Sequence, residues 1–426
     1  MRTWGLVVVS LLISSLAHPT SVFAQVPRTL GLTELIAAAD ERNPTITAAR
    51  QAVLVAEANI AVARSGRGPT ISATGSVGQS GGGTTFSTSG FSSSAGISTS
   101  YVIYDAGQTA LAVRQAEANL RSARLALEVV RQDVAQTVGL GFVGVLRADR
   151  AVAQREQVVR QNQELVRVAE GQFRAGVVAR SDVVRAQAGL AAAEGELIAA
   201  RNGVDQARAS LNTAIGFAPT APLVVAAVPP VVPEVRVAAV DLAGLVEQRA
   251  EVRRAQADAE AAEVALALAQ VGNGLRVTLN GGVSQPITGT GSTSYSVTST
   301  ISLPVSDAGR LQAEVAAATA NLAAARARVE SVRLNAQQQA VAALLSIQNA
   351  RARITSARAG LVFAQESLRL AQGRFAAGAG PLLEVTDAQT VLVQAEVALA
   401  TAEYDEAAGI ISLRYALGRS VIDGAL

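Results

Sequence analysis

Few side chains in this 426-residue chain could carry out catalysis. Cysteine and lysine are absent, and the only histidine is His18, in an N-terminal segment with the features of a cleaved signal. Without these residue types the chain has no thiolate nucleophile, Schiff-base amine, P-loop lysine or Ser-His-Asp triad, and no His or Cys ligands for a metal. We therefore predict that it is not an enzyme and holds no cofactor or metal.

The charged residues that remain are carboxylates and arginines. All 36 basic residues are arginines, interspersed with 34 acids, so no basic patch for nucleic acid is expected. Two of the acids belong to a phrase that occurs twice: GQFRAGVVARSDV from Gly171 contains Asp182, and GRFAAGAGPLLEV from Gly373 contains Glu384. An acid in the first turn of a helix also favours the helix dipole, whatever its function.

The repeated phrase belongs to a duplication of most of the chain. The two phrases begin 202 residues apart, and the same offset aligns Tyr-Asp-Ala-Gly ending at Gly107 with Ser-Asp-Ala-Gly ending at Gly309. We predict two copies of one unit, residues 25–216 and 241–426. An extended linker at 217–240, with five of the twelve prolines, joins them.

Each unit contains one helix that is too long for a globular core. Helix-forming residues without proline fill about 107–172 and about 309–374, and a helix of that length spans about 99 Å. Apolar residues recur there with a period of about 3.5, which predicts coiled-coil packing. In the second unit they are Val315, Ala318, Leu322, Ala325, Val329, Val332 and Ala336. An ordinary coiled-coil rod fits this pattern equally well.

Polar turns precede both long helices. Asp105 and Asp307 are expected to accept hydrogen bonds from free amides of the first helical turn. Asp105 and Gln108 have the spacing of a capping box, and Gly107 and Gly309 complete the strand-to-helix turns.

Glycines mark the far ends of the long helices. Gly176 and Gly378 are expected in the left-handed conformation that stops a helix, and Phe173 and Phe375 are expected to anchor the hairpins by packing. Helical tips are thus predicted at about 173–181 and about 375–383, with return helices to about 215 and about 417.

The N-terminus predicts export. Arg2, an apolar run and small residues before Gln25 predict a signal peptide at 1–24. No later stretch of 18 or more uninterrupted apolar residues occurs. If the mature chain crosses a membrane, it must do so with β-strands.

Two Gly/Ser/Thr-rich segments are either linkers or membrane hairpins. In the second, Tyr295, Val297 and Ile301 share one parity, while the residues of the other parity are Ser or Thr. Such alternation is typical of outer-membrane strands, and it predicts hairpins at about 70–104 and about 276–306. Four strands cannot close on themselves, because the smallest barrels need about eight, so the chain must oligomerise.

Four features of the sequence occur together: the signal peptide, the duplicated unit, the two strand-to-helix turns, and the tips QFRAGVVARSDVVRAQA and RFAAGAGPLLEVTDAQT. In this combination they resemble the TolC family of outer-membrane efflux proteins. The resemblance implies a mixed α and β membrane protein built from a tandem repeat. It implies a homotrimer whose twelve-stranded outer-membrane β-barrel, four strands per chain, continues into a long periplasmic α-helical barrel. The linker is expected to form part of an equatorial belt.

The resemblance also implies a function and partners. It indicates the outer-membrane channel of a tripartite efflux or type I secretion system, a passive exit duct located in the cell outer membrane and extending into the periplasm. Its expected partners are outer-membrane lipid, a periplasmic adaptor (membrane fusion) protein and an inner-membrane transporter. The alternative is a secreted structural coiled-coil protein, which would share the long helices and scarce aromatics.

Position by position, the resemblance assigns roles at the tips. Adaptor docking is implied for Gly176, Val177, Val178, Gly378 and Ala379. Three copies each of Asp182, Glu384 and Asp387 are expected to ring the periplasmic constriction and favour cations. Well-known members hold the constriction shut with an aromatic hydroxyl and an arginine, where this sequence has Phe375 and Gly380. Arg180 on the first tip is the candidate to replace these groups in holding the constriction shut.

Overall fold

A computed structural model describes residues 29–79, 91–226, 242–272, 274–288 and 292–419. The predicted signal peptide at 1–24 and most of the predicted linker lie outside these residues. The described start of the linker contains a short strand that the sequence did not indicate. It pairs in parallel with a strand at the start of the first repeat, Thr29 opposite Val224.

The first repeat and the start of the linker together run from β1 to β4. Their elements are β1 Thr29–Leu30, α1 Leu32–Arg42, α2 Pro44–Ser65, β2 Thr70–Gln79, β3 Phe91–Tyr104, α3 Gln108–Arg174, α4 Arg180–Ile215 and β4 Val224–Val225. The second repeat has the same order of longer elements. They are α5 Leu242–Glu247, α6 Ala250–Val271, β5 Arg276–Pro286, β6 Ser294–Ser302, α7 Arg310–Ala376 and α8 Leu382–Ala416.

The two long helices obey the repeat offset at both ends. α3 and α7 each have 67 residues and are related by 202 positions, and each spans about 100 Å. In α7 every member of the stripe from Val315 to Ala336 is buried or half-buried. The period of about 3.5 therefore does mark the packed face.

Each long helix packs against different neighbours along its length. Ion pairs such as Arg124 to Glu57 join the N-terminal half of α3 to α2, and α6 lies beside the same half. The C-terminal half packs against α4, with Arg208 to Asp149 at 3.1 Å. α7 likewise contacts α6 first and then α8. The chain is thus two antiparallel helical hairpins whose tips lie at one end and whose strands lie at the other.

α2 is the one described helix that is long and apolar enough to cross a membrane by length and composition. Its charged residues Arg50, Glu57 and Arg64 all form ion pairs, two of them with α3. The helix is therefore part of the bundle.

Two apolar clusters hold the hairpins together. The belt cluster lies around Leu35, Phe142 and Leu211, near the middle of α3, and includes Val225 of β4. The tip cluster joins the ends of all four long helices, with Leu165, Ala186, Leu368, Phe375 and Val385 among its members. Alanine and glycine let the helices approach closely: a Cβ on Gly409 would lie 2.9 Å from Ile347.

The four longer strands form one antiparallel sheet in the order β2-β3-β5-β6. The register places apolar residues on one face, such as the row of Ala73, Ile97, Val283 and Tyr295. The other face carries hydroxyls, and Ser72 Oγ lies 2.9 Å from Ser98 Oγ across β2 and β3. The sheet therefore has two faces of opposite character.

Candidate functional site

Both helical tips end in the same backbone motif. Gly176 has φ +74° and Gly378 has φ +68°, the left-handed conformation that the sequence predicts. At the first tip, the amides of Gly176 and Val177 donate to the carbonyls of Phe173 and Gln172 at 3.0 and 2.9 Å. At the second tip, the two bonds recur at 3.0 and 2.9 Å. These are Schellman motifs, which satisfy the last carbonyls of the long helices.

The strand-to-helix turns differ from the predicted capping box. The Asp105 carboxylate accepts hydrogen bonds from the amides of Gly107 at 3.0 Å and Thr109 at 2.8 Å. The side chain of Gln108, however, donates to the carbonyl of Gly272. The capping-box prediction is wrong because the helix begins one residue after Gly107, whose φ is +89°, so Gln108 is the first helical residue and faces the end of α6.

Hydrogen bonds stabilise the ionised form of both turn carboxylates. Burial alone would raise the pKa of Asp105, but the hydroxyl and amide of Thr109 and the amide of Gly107 outweigh it and lower that pKa. The amide of Leu311, at 2.8 Å, is the main cause that lowers the pKa of Asp307. Gly309 has φ +85° and donates to the same carboxylate.

The five positions expected to dock an adaptor lie at the extreme end of the hairpins. Gly176, Val177, Gly378 and Ala379 are exposed, whereas Val178 is half-buried against the tip cluster. A Cβ on Gly378 would lie 3.9 Å from Cγ1 of Val177, so the two tips of one chain are in contact.

The four candidate gate residues are not brought together in one chain. Glu384 pairs with Arg374 at 3.0 Å, across its own hairpin. Arg180 and Asp387 are exposed and Asp182 is half-buried, and no ion pair joins these three to any described residue. Sequence reasoning missed Arg374, although aligning the two tips would have shown an arginine there in place of Gln172.

The two tip phenylalanines lie in different environments. Phe375 is 4% exposed and packs in the tip cluster, as expected of an anchor. Phe173 is 43% exposed, so within one chain the expectation of a packing anchor is wrong for it. The difference arises because Phe375 faces the first tip, where Gln172 Nε2 donates to its carbonyl at 3.2 Å. Phe173 has no such neighbour among the described residues.

Comparison with known proteins identifies the family. A family model described as Outer membrane efflux protein matches residues 35–217 and 243–419, which include both repeats and the sheet. The chain belongs to the outer membrane efflux protein family. It is a channel protein and not an enzyme, located in the outer membrane and extending into the periplasm. The alternative of a secreted structural coiled coil is set aside, because the match covers the strands as well as the helices.

Solved structures share the fold over nearly the whole chain. CusC is 21% identical with a TM-score of 0.81, covering 94% of this chain and 96% of CusC. VceC from Vibrio cholerae is 20% identical with a TM-score of 0.76, covering 92% and 96%. The open-state MtrE outer membrane channel of Neisseria gonorrhoeae is 21% identical with a TM-score of 0.74, covering 92% and 89%. No curated protein sequence matches. The fold class predicted for this chain, that of the trimeric outer-membrane channels, is confirmed.

Proposed function

We propose that three copies of this chain form a passive exit duct for a tripartite efflux or type I secretion system. The duct crosses the outer membrane as a shared barrel and reaches through the periplasm to an adaptor protein and an inner-membrane transporter. The observation that carries this proposal is a four-stranded sheet with two unlike faces, attached to helices about 100 Å long.

The sheet supports closure between copies. β2 and β6 form its two edges, and neither has a further partner strand among the described residues. In lipid, unpaired amides and carbonyls are too costly to leave exposed. Because the four strands alternate in direction, β6 of one copy runs antiparallel to β2 of the next, and three copies give twelve strands. The apolar face then contacts lipid and the hydroxyl face lines the lumen.

The tips support a role in docking and ion selection. Exposed Val177 and Ala379, on backbones shaped by Gly176 and Gly378, offer small apolar surfaces for an adaptor, beside the half-buried Val178. Asp182 and Glu384 lie in the first turns of the helices that follow the tips, and Asp387 lies in the second turn of α8, so three copies of each place nine carboxylates around the mouth. Such rings attract cations. Arg374 offsets Glu384 within each hairpin.

Purified protein in detergent and in planar lipid bilayers tests the proposal. We expect a trimer by light scattering and discrete ion channels after insertion. Cation preference, measured as a reversal potential in a salt gradient, should fall in a variant with Asp182→Asn and Asp387→Asn. Arg180→Ala should raise conductance if Arg180 helps to hold the mouth closed. A monomer without channel activity contradicts the proposed function.

A further inference from the structure

A polar groove lies where α3, α7 and α8 meet, about halfway along the long helices. Its volume is about 620 Å³, which is within the range of small-molecule sites. Neutral side chains that can donate hydrogen bonds line it, and they are Gln136, Gln339, Ser346 and Ser412. Among the described residues of this lining, Asp405 is the only acid.

Two arginines share that acid. Arg353 Nη2 lies 2.6 Å from Oδ2 of Asp405, and Arg147 Nη1, beside the groove, lies 3.5 Å from Oδ1. Both arginine side chains are about half exposed, so neither is enclosed by protein. Two positive charges against one negative charge leave each groove with one guanidinium that no carboxylate neutralises.

The charged groups around this site are already matched. The Tyr415 hydroxyl donates to Asp133 at 2.6 Å, and the Arg249 guanidinium lies 4.6 Å from the centre of the same ring. Glu406 pairs with Arg351 at 2.6 Å. These neighbouring pairs add no net charge, so the excess positive charge remains at Asp405 and its two arginines.

The repeat shows that helix packing does not require these charges. The offset of 202 relates Arg147, Arg353 and Asp405 to Asn349, Ala151 and Gly203. All three counterparts are uncharged, and no atom lies within 4 Å of a Cβ added to Gly203. The polar lining is retained, since Gln136 and Ser412 correspond to Gln338 and Ser210. The three charges are therefore a feature of this one groove in each chain.

We propose that the groove binds an oxyanion, the phosphate or carboxylate group of a small molecule. The guanidinium groups of Arg147 and Arg353 bind it, because their planar N–H pairs match two oxygens of such a group. Asp405 is a positioning residue that holds the two arginines together. The amides of Gln136 and Gln339 are available for other polar groups of the ligand.

The side of α3 that carries the site gives it a role in the proposed duct, and this step rests on the proposed function. Arg147 is nine residues from Val138, which places the two about 180° apart around the helix. Val138 is buried in the belt cluster with Leu35 of α1 and Val225 of β4. These belt elements would obstruct the duct if they lay inside it, so they lie outside and the groove faces the lumen.

Three copies then place three oxyanion sites inside the duct. They lie about 40 Å from the tips, since 27 residues of helix separate Arg147 from Arg174 at the end of α3. The carboxylates proposed at the mouth have the opposite charge. Anionic solutes that pass the mouth therefore bind within the duct.

Calorimetric titration of the full-length protein in detergent tests the site. Pyrophosphate and citrate are the probes, with sodium chloride holding the ionic strength constant, and the tighter of the two identifies phosphate or carboxylate as the preferred group. We expect Arg353→Gln and Arg147→Gln each to weaken binding about tenfold or more. Arg353→Lys should fall between, because it keeps the charge but loses the planar fork. Arg201→Gln is the matched control, since Arg201 is exposed and pairs with Glu156 at 3.1 Å.

Planar bilayers provide a second measurement. Pyrophosphate should lower the single-channel conductance of the unsubstituted protein and have little effect on Arg353→Gln channels. Binding in detergent without any effect on conductance would contradict the lumenal position of the groove.

The outcomes separate the site from the proposed function. A protein that forms channels but binds neither anion overturns the site and leaves the duct standing. Equal affinity in Arg353→Gln, Arg147→Gln and Arg201→Gln overturns it as well. A chain that forms no channels, yet binds pyrophosphate through Arg353, supports the site and contradicts the duct. Light scattering of each variant confirms that lost binding does not come from lost assembly.

Discussion

At the scale of single residues, one carboxylate organises each junction between strand and long helix. Asp105 accepts from two backbone amides and a hydroxyl within four residues of itself, and Asp307 accepts from two amides. These amides belong to the first turn, where no carbonyl of the helix is available to accept them. The turn also holds Ala106 and Ala308 at φ +54° and +53°, a conformation that costs free energy for alanine. The carboxylate offsets that cost.

Asp105→Ala should lower stability in a pH-dependent manner. Because hydrogen bonds lower the pKa of the folded carboxyl, its contribution is fully present above the unfolded value of about 3.9 and is lost as pH falls through the folded value. The loss above pH 5 should be about 1 kcal/mol, as for other helix caps. Urea unfolding of the two proteins from pH 7 to pH 3 measures the difference. Asp205→Ala, at an exposed position of α4, controls for the lost charge, and a difference that grows in acid would contradict this account.

At the scale of elements, the hairpin tips and the sheet each depend on a local rule. The tips need a residue with positive φ to turn the chain after 67 residues of helix. The sheet needs alternation of apolar and polar residues, since a shift of one residue would place most hydroxyls in lipid and most apolar side chains in the lumen. Thr99 and Ser299 are hydroxyl residues on the apolar face. Both rules are satisfied twice, once in each repeat.

Gly176→Ala should destabilise the first tip by about 1 to 2 kcal/mol, because alanine is strained in the left-handed conformation. Gly171→Ala, five residues earlier and inside α3, should instead stabilise the end of that helix by about 0.5 to 1 kcal/mol. No atom lies within 4 Å of a Cβ added at either position, so packing does not bias the comparison. Hydrogen exchange of the last turn of α3 measures both changes. Shifts of the same sign would be inconsistent with the left-handed tip.

Ile97→Arg should be far more harmful than Ser98→Arg. The two residues are adjacent in β3 but lie on the apolar and hydroxyl faces of the sheet. An arginine on the lipid face costs about 2 to 4 kcal/mol near the bilayer midplane, whereas one in the lumen stays hydrated. Unfolding in lipid vesicles measures the cost, and the Ser98→Arg channel should also shift its selectivity toward anions. Equal costs would argue against this assignment of the faces.

At the scale of the whole molecule, a series of contacts that begins at one buried arginine and passes through Tyr415 joins the two repeats. Arg249 is 1% exposed at the start of α6, where it donates to Gln339 Oε1 of α7 at 2.7 Å. Its guanidinium lies 4.6 Å from the ring centre of Tyr415 in α8. The Tyr415 hydroxyl donates to Asp133 of α3 at 2.6 Å. Burial and the Asp133 carboxylate raise the pKa of Tyr415 to about 12, so this link persists at physiological pH.

Arg249→Ala should therefore lower the free energy of unfolding by about 3 kcal/mol, from the cavity and the lost cation–π and hydrogen-bond contacts. Arg253→Ala is the matched control, since Arg253 is half-exposed and lies 3.8 Å from Glu128. An exposed pair of that kind contributes less than about 1 kcal/mol. Chemical denaturation of the purified protein distinguishes the two. Equal losses would mean that the buried contacts of Arg249 contribute no more to stability than an exposed ion pair.

The repeat, the long helices and the alternating strands could be read from the sequence because each is a local periodicity. A stripe with a period of about 3.5 requires a coiled-coil helix whatever its partner is. A segment that alternates apolar and hydroxyl residues has two unlike faces wherever the strand lies. Gly176 and Gly378 likewise stop their helices through backbone sterics alone. This ordered set of local features resembles the outer membrane efflux protein family, and the family match over residues 35–217 and 243–419 shows the membership.

The tertiary structure alone decided which side chains meet across helices. The sequence shows two equivalent tip phenylalanines, yet Phe375 is buried and Phe173 is half-exposed. It shows Gln108 at capping-box spacing, yet that side chain binds Gly272 of another helix. Arg374 pairs with Glu384 across a turn, and Arg249 is buried between three helices. Such partners depend on the relative placement of the helices, which is determined by many weak packing contacts between residues far apart in sequence. No local sequence pattern specifies those contacts together.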